Sequence, residues 1–145
     1  MLTDVHTHST FSADGETPLS GMLARAQELG IAYYGIAEHF DYDYLADGIL
    51  PEGKTVPMID ASAYFSEVRR LQESYAGRMH VLAGGEFGYT SNPAAHRMYQ
   101  ETIARFSPDF VVNSVHSVNG KDAWFSEYFA GKTREEAYRT YLEKV

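Results

Sequence analysis

The chain opens with MLTDVHTHSTFSADGE (residues 1–16), in which His6 and His8 follow a short apolar strand and are separated by one residue. Side chains two residues apart project from the same face of an extended strand. His6 and His8 are therefore expected to point toward one spot, and imidazoles are the commonest metal ligands among side chains. This stretch predicts that the first strand delivers metal ligands at its carboxyl end.

Length and composition limit the class of protein. With 145 residues and 44% hydrophobic residues, the chain has the size and composition of one globular domain, assigned to residues 1–145. The formal net charge of −8 argues against nucleic acid or an anionic membrane as a partner held by bulk charge. Because the sequence contains no cysteine, any metal must be held by nitrogen and oxygen atoms. Neither a signal peptide nor a membrane-spanning run is recognisable, so a cytoplasmic protein is expected.

Strand and helix patterns alternate four times along the chain. The predicted strands are residues 1–5, 31–39, 79–86 and 109–116. The predicted helices begin with Thr17 as N-cap before Pro18, with Asp60, with Asn92-Pro93, and with the capping box from Thr133 to Glu136. This alternation is typical of an α/β fold in which helices cross over a parallel sheet.

One connection breaks the alternation. Residues 40–59, FDYDYLADGILPEGKTVPMI, show no clean periodicity. Connections of this length without secondary structure are usually functional or disordered. Two interpretations stay open, a tolerated surface insertion and a lid over a site whose acidic and aromatic side chains contact substrate.

Residues that can bind metal stand at the carboxyl end of every predicted strand. In chain order these residues are His6, His8, Asp14, His39, Glu86 and His116. In parallel α/β folds, ligands and catalytic groups gather at this edge of the sheet. A carboxylate that ends an apolar strand, as Glu86 does, is costly to bury unless it is paired or bound to metal. The pattern predicts one metal site built from all six residues.

The other two histidines and the absence of two common motifs argue against other kinds of catalytic site. His80 opens the third strand at the opposite edge and His96 lies on a helix beside Arg97, so both are interpreted as structural. The chain has neither a GxxxxGK[ST] phosphate loop nor a GxSxG nucleophile elbow. Metal ions on histidine and carboxylate ligands remain, and such ions activate water and clamp phosphoryl groups.

Four stretches in chain order resemble the polymerase-and-histidinol-phosphatase (PHP) superfamily. They are DVHTHSTFSADG (4–15), AEHFDYDY (37–44), GGEFGY (84–89) and NSVHSVNGKD (113–122). Residues 63–89 and the tail FAGKTREEAYRTYLE (129–143) resemble its histidinol-phosphatase branch. The resemblance implies a distorted (β/α)7 barrel similar to a TIM barrel, of which this chain would form the first four βα units.

The resemblance also implies a site with up to three divalent ions, usually zinc, manganese or iron. By this resemblance, His6 and His8 would bind the first ion, and Glu86 would bridge the first and second ions. His116 would bind the second ion, and Asp14 and His39 the third. Many members have histidine where Asp14 stands. Asp4 matches the first residue of the motif and is expected to orient a ligand rather than to bind metal.

The implied reaction is a step of histidine biosynthesis. L-Histidinol phosphate would be hydrolysed to L-histidinol and phosphate by a metal-bridging hydroxide, with His6, His8, Glu86 and His116 acting through this activated water. A small phosphorylated molecule is thus the expected partner, and no nucleic acid or membrane is expected.

Members of the family are much longer than this chain. Their second half carries further metal ligands and the arginines that are expected to bind phosphate. We therefore expect the chain to be an N-terminal fragment with an exposed sheet edge. Either the missing C-terminal half or a second copy of the chain would cover that edge, so a homodimer is one expectation.

Other hydrolases share parts of the pattern. Amidohydrolases also begin with HxH, but they need a carboxylated lysine or a carboxylate near the fourth strand, where NSVHS (113–117) stands. TatD-like nucleases do not account for Asp14 together with His39. Two alternatives stay open: a phosphodiesterase or nuclease-type PHP module, and a catalytically incomplete fragment that only binds metal and self-associates.

Overall fold

The computed structural model describes residues 1–49, 55 and 58–145. Four parallel strands form its sheet in the order β1-β2-β3-β4, namely Leu2–Asp4, Ile31–Phe40, His80–Gly88 and Phe110–Ser114. The helices of the described part are α1 Leu19–Glu28, α2 Tyr42–Asp47, α3 Ala61–Tyr75, α4 Pro93–Phe106, α5 Ser126–Phe129 and α6 Arg134–Leu142. The predicted α/β fold with a parallel sheet is confirmed, as an open half-barrel.

The main apolar core lies between one face of the sheet and the helices α1, α3 and α4. Ile36 and Phe40 of β2 and Val68 of α3 are fully buried there. The Tyr64 hydroxyl of α3 donates hydrogen bonds to the carbonyl oxygens of Ile36 at 3.0 Å and of Gly84 at 2.8 Å. This tyrosine therefore ties α3 to both central strands and leaves the opposite face of the sheet to the site.

The opposite face of the sheet carries small residues in its middle and polar residues at its carboxyl end. A side chain on Gly84 would overlap the ring of Phe110, which therefore lies directly over this glycine. Two residues further along, His39 and Glu86 are paired in register on neighbouring strands. Phe110 thus fills the space just beneath the polar cluster.

Most predicted helix starts agree with the structure. Asp60 accepts a hydrogen bond from the Ala63 amide at 3.0 Å, Asn92 accepts one from the Ala94 amide at 2.9 Å, and the capping box at Thr133 is formed. The prediction of Thr17 as the first N-cap is wrong. Helix α1 begins at Leu19 with Pro18 as its N-cap, one residue later than predicted.

The prediction that residues 40–59 lack secondary structure is wrong for their first part. Helix α2 occupies Tyr42–Asp47 and ends at Gly48, whose φ of 64° is readily adopted only by glycine. A helix of this length shows too little periodicity to be detected in a sequence. Residues 50–54 and 56–57 lie outside the described residues, so the choice between insertion and lid stays a prediction.

The strand ends differ from the prediction by a few residues. Strand β1 ends at Asp4, so His6 and His8 follow the strand, whereas β3 continues two residues beyond Glu86. His116 lies between β4 and a short hairpin of β5 Ser117–Val118 and β6 Lys121–Asp122. This hairpin, α5 and α6 share a small core of Val118, Tyr128 and Ala137, which the sequence did not predict.

Strands β1 and β4 form the two edges of the described sheet. Leu2 and Val111 on these strands are exposed, as the resemblance predicted for an open edge. Within the described ranges, no helix is both long and apolar enough to cross a bilayer.

We expect Gly84→Ala to destabilise the protein, because the added methyl group would overlap the Phe110 ring. Overpacking of this kind costs about 1–3 kcal/mol of unfolding free energy. Urea unfolding followed by circular dichroism would measure the loss. Gly21→Ala, at an exposed position of helix α1, is the matched control. Its added methyl group would meet the end of the Thr17 side chain at 3.3 Å, so this variant should be neutral or stabilising. Equal stability of the two variants would contradict the packing described for Phe110.

Candidate metal centre

The Glu86 carboxylate lies at the middle of a cluster of histidines. Its Oε2 atom lies 2.8 Å from His6 Nε2, 3.3 Å from His8 Nε2 and 3.7 Å from His39 Nε2. Its Oε1 atom lies 3.2 Å from His116 Nε2. Four imidazoles, from the segment after β1, from β2 and from the segment after β4, therefore converge on one buried carboxylate of β3.

Three groups of potential ligands surround this carboxylate. Each group offers one nitrogen or oxygen per residue, and these atoms lie within 4.8 Å of one another. The groups are His6–His8–Glu86, His8–Asp14–His39 and His39–Asp41–His116. All six residues proposed from the sequence lie in these groups, and neighbouring groups share a histidine.

Three of the histidine rings lie against one another. The rings of His8 and His39 are stacked with centroids 4.6 Å apart, and His39 and His116 lie 5.1 Å apart. The Nδ1 atoms of these three residues are buried and make no hydrogen bond of good geometry, although carboxylate oxygens lie within 3.5 Å of those of His39 and His116. Such buried ring nitrogens, beside carboxylates and in the absence of cysteine, fit divalent ions that accept nitrogen and oxygen ligands.

The sequence analysis missed two carboxylates of the cluster. Asp41 Oδ1 lies 3.3 Å from His39 Nδ1 and 3.5 Å from His116 Nδ1. Its position two residues after His39 repeats the spacing of His6 and His8, and this signal could have identified it. Asp41 lies beside the Nδ1 atom of His116, whereas Glu86 contacts the Nε2 atom of the same ring.

Asp43 is the second missed carboxylate and lies behind His116. It is 1% exposed, and its Oδ2 atom lies 3.4 Å from His116 Nδ1. The Tyr99 hydroxyl donates to Asp43 Oδ1 at 3.1 Å and accepts from the Gly88 amide at 2.9 Å. A side chain at position 88 would overlap the Asp43 carboxylate, so this glycine makes room for it. No periodicity in the sequence indicates these contacts.

The charges of the cluster are strongly coupled. Burial favours the neutral form of Glu86, but hydrogen bonds from His116, Ser114 and His6 outweigh it and hold the Glu86 pKa well below its usual range. Burial also opposes protonation of His116, yet the Asp43 and Glu86 carboxylates raise the His116 pKa to about 10. At neutral pH the metal-free cluster therefore contains an ionised Glu86 beside a protonated His116.

The pKa values of the two central histidines are shifted in opposite directions. Burial, together with the nearby charge of His39, lowers the pKa of His8, so that this ring is neutral at physiological pH. For His39, burial is outweighed by the Asp41 and Glu86 carboxylates, and the pKa is raised. His8 can therefore accept a metal ion without first losing a proton.

A cavity of about 500 Å³ opens beside the cluster. Among its lining residues are Asp14, His39, Asp41, Tyr44, His116 and Asp122. The Tyr44 hydroxyl donates to Asp122 Oδ2 at 2.7 Å, which links α2 to the β5–β6 hairpin across the cavity. A small molecule in this cavity would lie against four potential ligands, Asp14, His39, Asp41 and His116.

The other histidines and Asp4 lie apart from these groups. The ring of His80 is stacked on Tyr33 at the amino end of the sheet, far from the cluster at the carboxyl end. The Nε2 atom of His96 forms a hydrogen bond with the Thr90 carbonyl oxygen at 2.6 Å. Both contacts agree with the structural roles that the sequence indicated. Asp4 Oδ1 lies 3.5 Å from the His6 amide nitrogen, so it contacts the backbone of a proposed ligand.

Relatives of the chain are histidinol-phosphatases. The chain is 29% identical over 148 aligned positions to the histidinol-phosphatase of Lactococcus lactis, covering 96% of this chain and 48% of that protein. It is 27% identical to a probable histidinol-phosphatase of Schizosaccharomyces pombe, covering 83% and 40% of the two chains. The chain thus spans about half the length of the curated relatives it matches or less.

Solved structures share the fold. The crystal structure of histidinol phosphate phosphatase from Lactococcus lactis, in complex with zinc, L-histidinol and phosphate, superimposes with a TM-score of 0.79 at 28% identity, over 99% of this chain and 51% of that one. A putative histidinol phosphatase from Listeria monocytogenes gives the same TM-score of 0.79 at 23% identity, over 99% and 59%, and shows the fold alone.

The family itself follows from the length of the match. The PHP domain family matches residues 4–145, a span that contains every member of the histidine and carboxylate cluster. The four parallel strands are accordingly the first strands of a TIM-like PHP barrel. The chain belongs to the PHP domain family.

Proposed function

We propose that the cluster around Glu86 is a multinuclear metal centre for phosphomonoester hydrolysis, with L-histidinol phosphate as the substrate. The observation that carries this proposal is the convergence of four histidine Nε2 atoms on the Glu86 carboxylate within 3.7 Å. A structural role requires a hydrogen-bond partner for a buried carboxylate. It does not require four imidazoles, three of which bury an Nδ1 atom that makes no hydrogen bond.

The proposal makes seven residues metal ligands and gives Asp43 the role of orienting one of them. The residues proposed to hold ions are His6, His8, Asp14, His39, Asp41, Glu86 and His116. Divalent ions on such ligands lower the pKa of bound water and stabilise charge on phosphoryl oxygens. Asp43 would orient His116 from behind, because a carboxylate at Nδ1 fixes the ring and leaves Nε2 directed at Glu86. The native ion is proposed to be zinc, manganese or iron.

The charge of the cavity makes the proposed reaction dependent on metal. Asp14, Asp41 and Asp122 line it, with Glu86 buried close by, so a phosphate dianion would be repelled by the metal-free cluster. Bound cations invert the sign of such a site. The cavity volume of about 500 Å³ lies within the range of small-molecule sites and suits an amino-alcohol phosphate.

The similarity to histidinol-phosphatases supports the choice of substrate. The Lactococcus lactis structure was solved with L-histidinol and phosphate, the two products of the proposed reaction. We propose the same reaction for the protein to which this chain belongs, in the cytoplasm and as a step of histidine biosynthesis. The phosphodiesterase alternative has no structural observation in its favour among the described residues.

We expect the chain, reconstituted with zinc or manganese, to release phosphate from L-histidinol phosphate and not to cleave bis-(p-nitrophenyl) phosphate. Glu86→Gln should reduce the rate by more than the 10–100-fold that loss of an outer-shell partner typically costs, because Glu86 contacts four proposed ligands. Phosphate release would be followed colorimetrically, with removal of metal by EDTA as a second test.

The matched control is His80→Gln, which changes an exposed histidine at the amino end of the sheet. This variant should keep the wild-type rate. Preferential cleavage of the diester would contradict the monoesterase assignment, and zinc binding without turnover of either ester would favour the catalytically incomplete alternative.

Zinc binding between pH 7 and pH 8 is expected to release a proton from His116. Its pKa is raised to about 10, so the metal-free protein holds this proton, whereas a ligating imidazole nitrogen must be deprotonated. Apparent affinity should therefore rise with pH over this range. Titration calorimetry in two buffers of different ionisation enthalpy would count the protons released. In Asp43→Asn the pH above which zinc binding ceases to release this proton should be lower, because His116 then has a lower pKa; an unchanged pH dependence of the proton count would contradict the assigned role of Asp43.

A further inference from the structure

We propose that Glu38 is a positioning residue that holds the loop of residues 9–15 so that Asp14 faces His39. Glu38 directly precedes His39, and by residue type it would itself be a candidate metal ligand. The structure assigns it a different task, because it is fully buried and is a member of none of the groups of potential ligands described above. This inference rests on the proposed function in so far as Asp14 and His39 are proposed metal ligands.

The alternation of β2 separates the two neighbours. Successive side chains in a strand project to opposite faces, so His39 points to the site while Glu38 points to the helix-covered face. Glu38 is paired in register with Gly85, whereas His39 is paired with Glu86. Glu38 therefore lies on the core side of the sheet, directly beneath the start of the loop.

Hydrogen bonds to Glu38 come from two serines of that loop. The Ser9 amide donates to Oε1 at 2.9 Å and to Oε2 at 3.1 Å, and the Ser9 hydroxyl donates to Oε1. The Ser12 hydroxyl donates to Oε2. Ser9 is fully buried and Ser12 nearly so. A buried carboxylate is tolerated when it accepts several hydrogen bonds, and here all of those described come from residues 9 and 12.

The same serines connect Glu38 to the proposed ligands. The Ser12 hydroxyl oxygen accepts a hydrogen bond from the His39 amide at 2.9 Å, so Ser12 bridges Glu38 and the backbone of His39. The Ser12 carbonyl oxygen accepts from the Gly15 amide at 3.2 Å, which closes the turn that carries Asp14. Asp14 Oδ2 then lies 3.5 Å from His39 Nε2.

Loss of Glu38 should therefore affect one group of ligands more than the others. The group His8–Asp14–His39 depends on the loop, because Asp14 is exposed and the loop carries it. The group His6–His8–Glu86 has its carboxylate on β3, outside the loop. Outer-shell partners of ligands typically change metal affinity by about 10–100-fold. We expect this loss for the ion at Asp14.

Glu38→Gln is the direct test, because it keeps the volume and removes the charge and one acceptor. In the metal-free protein, NMR-detected exchange of the Ser9 amide should become about tenfold faster or more, because this amide loses a bond to a buried carboxylate. The His39 amide should follow it through Ser12. Glu67→Gln is the matched control, since Glu67 pairs with Arg70 on the surface of α3.

The second readout counts metal ions. Cobalt titrations followed by the visible spectrum, with metal analysis after dialysis, should show one ion fewer per chain in Glu38→Gln than in wild type. Asp14→Asn should lose the same ion, and the double variant should lose no more than either single variant, because both changes act on one group.

The outcomes separate this inference from the proposed function. Unchanged Ser9 exchange with an unchanged ion count in Glu38→Gln overturns the inference and leaves the proposed function standing. Additive losses in the double variant overturn the action through Asp14. A wild-type protein that binds no metal overturns the proposed function, while amide exchange still tests the hold of Glu38 on the loop. If Glu38→Gln does not fold, Ser12→Ala removes one donor and should speed exchange at His39 in the same way.

Discussion

The contact between the Glu86 carboxylate and four histidine rings is the constraint on which the other features of the site depend. The carboxylate is buried on β3, and its pKa is held well below the usual range because imidazole donors surround it. Burial of this charge is tolerated because His6, His8, His39 and His116 surround it within 3.7 Å. The strand order β1-β2-β3-β4 satisfies this condition, since it brings all four carboxyl ends to the same edge.

Strand β2 links this cluster to the folding of the chain. Its alternate residues serve two faces, so that Phe40 and Ile36 fill the core, His39 enters the site, and Glu38 binds the loop after β1. Phe110 and Gly84 form the floor beneath the cluster, and Tyr64 joins the two central strands from the opposite face. Packing and site geometry are therefore coupled through residues that lie outside the groups of potential ligands.

Much of this arrangement could be predicted from the sequence, because its signals are local. Helix caps at Asp60, Asn92 and Thr133 are short-range patterns, and the histidines and Glu86 stand at the ends of recognisable strands. The contacts of Asp43 could not be predicted, because the position of its carboxylate depends on a hydrogen bond from Tyr99 and on the space left by Gly88, which lie on other elements. Helix α2 and the β5–β6 hairpin were missed because each is too short to show a period. Which ligand atoms share an ion depends on distances of a few ångströms, and residue spacing does not encode them.

The central claim is that the cluster around Glu86 is a metal centre with more than one ion. Native mass spectrometry of the zinc-reconstituted chain measures this directly, since it counts ions and subunits in the same spectrum. The overlapping groups around His8 and His39 predict two or more zinc ions per chain, resistant to dialysis against zinc-free buffer. A metal-free chain, or a broad distribution of loosely held ions that His80→Gln and Glu86→Gln alter equally, would contradict the account.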